Sequence, residues 1–161
     1  MAQYQLASVW QVVAPIEQVW DAIYDSRRWP EWWPSVVSVA ELKAGNARGV
    51  GAVRRYTWRS RLPYRLSFDM EVTRVEQPHW LEGRTHGDLE GHGIWHVLTV
   101  DGATRVRYDW SVATTRLWMN LLAPLARSVF TWNHHAVMRA GGYGLAAHLK
   151  AQLIYAGPER R

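Results

Sequence analysis

At 161 residues the chain has room for one domain with a proper core, and its composition, 48% apolar and 20% charged, excludes an extended disordered chain. The absence of cysteine excludes disulfides, thiolate nucleophiles and Cys-ligated zinc. The net charge of +5 is scattered through strands and turns with no dense basic cluster, so nucleic-acid binding is not expected. No apolar run reaches the roughly 18 residues that span a bilayer, and the start lacks a basic-then-apolar signal, so a cytoplasmic protein is expected.

In chain order, residues 4–13 are rich in Val, Trp and Tyr, alternate loosely and read as a strand. Ala14-Pro15 stops it. Pro15 suits a first helical turn, Glu17 suits the positive end of a helix dipole, and Ile16, Val19, Trp20 and Ile23 recur at helical spacing, which predicts a short helix packed on one face. Asp25-Ser26 opens a second short helix or turn through Trp33, punctuated by Pro30 and Pro34 and carrying Trp29, Trp32 and Trp33. Three indoles in so short a connection must cover something, and the eleven tryptophans of the chain exceed what plain packing needs.

From Ser35 the pattern turns to strands: residues 36–42, a turn at Gly45-Asn46, then residues 51–59. Leu62-Pro63 opens a third in which Tyr64, Leu66, Phe68, Met70 and Val72 alternate with Arg65, Ser67, Asp69, Glu71 and Thr73, one face covered and one wet. Gln77-Pro78 turns into a strand ending near His86, Gly87 begins another ending near Val100, and Asp101-Gly102 predicts a tight hairpin into residues 104–115. There Val106, Tyr108, Trp110 and Val112 oppose Arg105, Arg107 and Asp109.

Residues 116–153, taken at about 100° per residue, place Arg127, Ser128, Thr131, His135, Arg139 and Lys150 on one side and Leu122, Ala126, Val129, Phe130, Ala136, Val137 and Ala140 on the other. This predicts a long amphipathic helix, kinked or with a separate first turn at Pro124. Asn133 falls near the middle of the apolar side with His134 at its margin, and an amide so placed needs a partner or a ligand. One strand, two short helices, six strands and a long helix make an α+β fold whose long twisted sheet curls round the helix. A helix gripped at its far end leaves room for a cavity.

That order, with Ala14-Pro15-Ile16-Glu17-Gln18-Val19-Trp20-Asp21 followed by Asp25-Ser26-Arg27-Arg28-Trp29-Pro30-Glu31-Trp32-Trp33-Pro34, resembles the START-like, helix-grip (SRPBCC) superfamily, and within it the polyketide cyclase/dehydrase group. Leu62-Pro63-Tyr64, the run from Gly87 to Trp95, and Trp132-Asn133-His134 leading to Val137-Met138 and Gly141 through Leu145 agree with it. The resemblance covers nearly the whole chain. It implies a birch-allergen-like domain over residues 1–155 with a short tail at 156–161, its curved antiparallel sheet of seven strands wrapped round the C-terminal helix. It also implies a cavity lined by Tyr64, Leu66, Phe68 and Met70, by Leu81, Gly83 and Thr85, by Trp95 and Val97, and by Tyr108 and Trp110, with Phe130, Asn133 and Val137 opposite and Trp32 and Trp33 at the mouth.

A cyclase or dehydratase needs an acid or base tuned near neutrality and a donor for an oxyanion. The candidate catalytic residues are His134 as base, with Tyr64, Tyr108 and Asn133 as donors. No carboxylate falls clearly on the inner face, since Asp69, Glu71, Glu82 and Asp109 have outward parity. Arg55 alternates against Tyr56 and Trp58, and either face can be the inner one: an inward Arg55 favours an acidic ligand, an inward Tyr56-Trp58 pair favours aromatic packing. Adjacent His134 and His135 diverge on a helix, and His92 and His96 on a strand lie about 13 Å apart, so no metal site is expected. With no GxGxxG, P-loop, GxSxG or HExxH, no cofactor is expected either. The glycines of residues 87–93 suit a turn or bulge that bends the sheet. Three functions stay open: first a binder of a flat hydrophobic molecule such as a polyketide, quinone or lipid, second an enzyme of the cyclase/dehydrase type, and behind these a surface-acting interaction protein using the basic charge and exposed tryptophans. Contact with a membrane surface has no motif behind it.

Overall fold

The computed structural model describes residues 2–160, apart from the side chain of Ala123. β1 (Gln3–Val12) leads into α1 (Ile16–Tyr24) and a 3₁₀ turn (Ser26–Glu31); β2 (Val36–Lys43), β3 (Val53–Arg59), β4 (Arg65–Glu76), β5 (Trp80–Gly87), β6 (Leu89–Val100) and β7 (Ala103–Thr114) follow, then α2 (Leu117–Leu121), α3 (Ala123–Leu149) and β8 (Leu153–Pro158). The strands form one sheet in the order β2-β3-β4-β5-β6-β7-β1-β8, antiparallel at every junction. This is the START-like helix-grip fold, an α+β sheet closed over a C-terminal helix. Among the described residues no helix is long and apolar enough to cross a membrane.

The sheet has eight strands where seven were expected. β8 pairs with β1 through Val9↔Gly157 and Gln11↔Tyr155 and carries the sheet past residue 155, into the expected tail. Its apolar signal is Leu153-Ile154-Tyr155, cut short by Gly157-Pro158, too brief for an alternation to show. The Asp101-Gly102 hairpin forms with both residues at positive φ (51° and 75°), the primed turn that matches strand twist.

α3 is held by tryptophans. The Trp10 indole donates to the Met138 carbonyl at 2.8 Å and the Trp33 indole to the Val137 carbonyl at 2.9 Å. A Cβ on Gly141 would come within 2.5 Å of the Trp33 ring and 2.7 Å of the Trp10 ring, and one on Gly144 would overlap the Trp32 carbonyl oxygen. Each helix glycine costs about 1 kcal/mol relative to alanine, and here it lets an indole or a loop backbone touch the helix axis directly. Nearer its N-terminus the helix carries the larger side chains Val137, Asn133 and Phe130 on its inner side.

Pro124 lies in the first turn of α3 and α2 stands before it as a separate turn, as the missing amide predicts. The expected apolar side needs correction, because Leu122 and Val129 are about half exposed. Taken from Gly141 at about 100° per residue, Phe130, His134, Val137 and Leu145 share the inward arc, while Leu122 and Val129 fall some 100° or more to the side. The docking glycines, carrying no hydrophobicity of their own, set the inner face.

Candidate functional site

Between the sheet and α3 there is an open-ended cavity of about 90 Å³. This holds several waters but is smaller than the ~150 Å³ cavity that takes up one benzene, so a larger occupant must extend through the open end or displace side chains. β3 contributes Tyr56 and Trp58, β4 Leu66, Phe68 and Met70, β6 Leu89 and Trp95, β7 Tyr108 and Trp110, and α3 Phe130, Asn133, His134, Val137 and Met138; Trp29 and Trp33 close the inner end, and Arg59, Ser60 and Tyr64 complete the wall. The rings form a continuous surface, Trp95 against Tyr108 at 4.2 Å, Tyr108 against Trp110 at 5.5 Å and Trp110 against Phe68 at 5.6 Å between centroids. Gly93, across from Tyr108 and Trp110, makes room for them: a Cβ there would sit 2.5 Å from the tyrosine hydroxyl.

Of the residues expected to line the cavity, Trp33, Tyr64, Leu66, Phe68, Met70, Trp95, Tyr108, Trp110, Phe130, Asn133 and Val137 do, whereas Thr85 and Val97 do not and Leu81 and Gly83 border a separate, smaller space. Thr85 is fully buried in β5, its hydroxyl unpartnered within the sheet. Trp32 and Trp33 are not at the mouth. Trp33 is wedged under α3, and Trp32 stacks on it at 5.6 Å with His148 on its other side at 6.2 Å. The β3–β4 connection supplies Arg59, Ser60 and Tyr64 to the wall, Arg59 exposed and the other two part-buried, and His134 lines the same space from the helix.

The ambiguity at Arg55 resolves by pairing. Arg55 stands directly opposite Asp69 in the ladder and bonds both its carboxylate oxygens, at 2.8 and 3.0 Å, on the outer face. Tyr56 and Trp58 therefore point inward, with the Tyr56 hydroxyl 2.6 Å from that of Ser26. Complementary charges at facing positions were the available signal, but using it requires the register of two strands joined by a loop. The same need for register left Tyr56 and Trp58 undecided between two faces, and Trp29, Arg59 and Ser60, in or beside connections, together with Leu89 and Met138, join the wall without having been expected there. Arg54, which shares the parity of Tyr56, was missed too: its guanidinium donates to Ser26 Oγ at 2.7 Å and borders a second space of about 40 Å³ behind Tyr56, Met70 and Trp95.

Apart from the Arg59 guanidinium in the β3–β4 connection, the polar groups of the main cavity are few and uncharged. Burial, reinforced by the neighbouring His135, lowers the His134 pKa to about 3, so the ring is neutral at physiological pH and its Nε2 has no protein partner. That makes it a hydrogen-bonding group and a weak base, not the neutral-pH base expected. Burial also pushes the Tyr108 phenol well above its usual value, leaving a hydroxyl that donates. Asn133 Oδ1 is buried without a partner. The wall contains no carboxylate, and among the described residues no three His, Asp or Glu side chains gather as a metal site.

The family model described as polyketide cyclase / dehydrase and lipid transport matches residues 5–150. The chain belongs to this family. Solved structures agree on the fold of this polyketide cyclase/dehydrase member. The Zhui aromatase/cyclase from Streptomyces sp. R1128 aligns with a TM-score of 0.76 at 15% identity, over 92% of this chain and 94% of that one. The di-domain aromatase/cyclase BexL of the BE-7585A biosynthetic pathway aligns at 0.71 and 18% identity, over 93% of this chain and 51% of that one. A START superfamily protein from Mycobacterium smegmatis aligns at 0.68 and 12% identity, over 91% and 97%. A sequence search of curated proteins found no match. Identities this low carry the fold and no residue roles.

Proposed function

We propose that the protein binds a flat hydrophobic small molecule, of the aromatic polyketide, quinone or lipid-like class, in the cavity between the sheet and α3. The supporting observation is the pairing of a stacked aromatic wall with stranded neutral polar atoms, Asn133 Oδ1 and His134 Nε2 on the helix. Apolar walls with a few placed polar groups suit a ring system carrying a carbonyl or hydroxyl. At about 90 Å³ the enclosed part takes the end of such a molecule, with the remainder leaving past Tyr64.

Tryptophan fluorescence tests this, because Trp29, Trp33, Trp58, Trp95 and Trp110 all border the space and a bound hydroxynaphthoquinone quenches indoles at contact. Saturable quenching is expected, weakened about tenfold in Tyr108→Phe by the lost hydrogen bond and removed in Leu66→Trp, which fills the open end. If neither the quinone, an aromatic ketone nor a fatty acid gives saturable quenching, the proposal fails. The family and the Tyr108 donor favour a second reading, a cyclase/dehydrase that stabilises an enolate by neutral hydrogen bonds. Turnover of a poly-β-keto substrate that drops in Tyr108→Phe establishes it, and saturable binding without turnover removes it.

A further inference from the structure

α2 and the first turns of α3 present an apolar strip to solvent. The backbone runs through Leu122 with helical hydrogen bonds on either side, Leu122 N to Trp118 O and Ala126 N to Leu122 O. Leu117, Leu121, Leu125 and Val129, spaced four apart, therefore fall along one line, and Leu121 and Leu125 are 72% and 80% exposed. Trp118 and Trp132 flank it, each about half exposed at 40% and 51%. This is a contiguous patch of the largest apolar side chains, not scattered surface leucines.

The surroundings of the strip say what it meets. Between Trp110 and Pro158 the chain has no aspartate or glutamate, and the facing segment between Leu42 and Phe68 has none either. Arg61 lies over the Trp132 ring at 5.9 Å, Arg127 sits over Tyr4 at 5.2 Å, and Arg116 lies 6.0 Å from the Tyr64 ring. The acid that reaches this border, Asp88, is taken up by Arg116 at 2.7 Å. A second copy docked about a two-fold axis would set these arginines against each other with no carboxylate between them. Anionic lipid headgroups neutralise them, while leucines enter the acyl boundary and the two indoles take the interfacial level that tryptophan favours.

The geometry points to a membrane-docking surface: the strip Leu117–Leu121–Leu125–Val129, with Trp118, Trp132 and the bordering arginines, binds bilayers that carry anionic lipid. It does so beside the cavity's open end, since Tyr64 belongs to the cavity wall and meets the Trp118 ring edge-on at 4.9 Å. The inference does not depend on what the cavity holds.

Flotation with vesicles of equimolar phosphatidylcholine and phosphatidylserine tests it. The protein is expected to float with these vesicles and to partition about tenfold or more less into phosphatidylcholine alone, since each arginine near an anionic surface is worth about fivefold. Leu121→Asp with Leu125→Asp, at side chains already in water, is expected to leave the circular dichroism spectrum unchanged and to lower partitioning by at least about tenfold. No flotation by the parent protein overturns the inference, as does equal flotation of the double variant. Sedimentation closes the remaining route: a parent dimer that the same substitutions dissociate makes the strip a subunit interface and overturns membrane docking.

Discussion

Replacing His134 by leucine removes a pH dependence that the structure assigns to one side chain. The ring is neutral in the folded protein down to about pH 3, because burial outweighs every interaction available to its charged form, whereas an unfolded histidine titrates near 6.5. Between those values the unfolded chain binds a proton that the folded chain does not, so stability falls as pH falls, by about 1.4 kcal/mol per unit once well below 6.5. From pH 7 to pH 5 the loss integrates to about 2 kcal/mol, a sizeable share of the roughly 5–15 kcal/mol that holds a domain together. His134→Leu keeps similar bulk, drops the unpartnered Nε2 and is expected to be at least as stable at pH 7. Urea unfolding at pH 7, 6 and 5 measures both proteins. The variant should lose about 2 kcal/mol less than the parent across that range, with His135 present in both as the internal control. Parallel stability curves would refute the reasoning, since they would mean that His134 takes its proton in the folded state.

Gly144→Ala is expected to destabilise by about 2 kcal/mol despite alanine's helix propensity, because its methyl overlaps the Trp32 carbonyl; urea midpoints measure it. Asn133→Leu should raise the ligand-free stability by about 1 kcal/mol by removing a stranded amide oxygen, while weakening binding of carbonyl-bearing ligands in the quenching titration. Arg55→Ala should leave quinone binding unchanged, as its partner Asp69 is on the outer face; a lost response would place that guanidinium in the site.

What could be read from the chain divides along a physical line. Strands such as β4 and β7 declare their inner face through local alternation, because each residue's environment repeats every second position. β3 does not, because Arg54, Arg55, Tyr56 and Trp58 mix charge and rings on both parities, and the facing Asp69 is visible only once β3 and β4 are in register. α3 misleads for a different cause: Leu125 and Val129, with Leu122 just before the helix, are exposed, while Gly141, Gly142 and Gly144 bring its backbone against the indoles and the Trp32 carbonyl. Amphipathicity assumes that apolar residues face the core. Where close backbone approach to an indole replaces side-chain burial, and where a second apolar face exists for another purpose, the assumption assigns the wrong side.

The stranded polar atoms separate into two kinds by what lies next to them. Ser8 and Thr85 are essentially fully buried hydroxyls inside the sheet, neither of them part of the cavity wall, and they stay unpaired whatever enters the cavity. Asn133 Oδ1 and His134 Nε2 are unpaired on residues that border it. A buried polar group without a partner costs about 1–3 kcal/mol, and leucine at either position would avoid that cost in a chain with ample leucine elsewhere on the same helix. The helix instead exposes Leu125 and keeps an amide and an imidazole against the cavity. That arrangement carries a cost unless water or a ligand in the cavity completes those hydrogen bonds, and the proposed carbonyl- or hydroxyl-bearing ligand is one group that would do so.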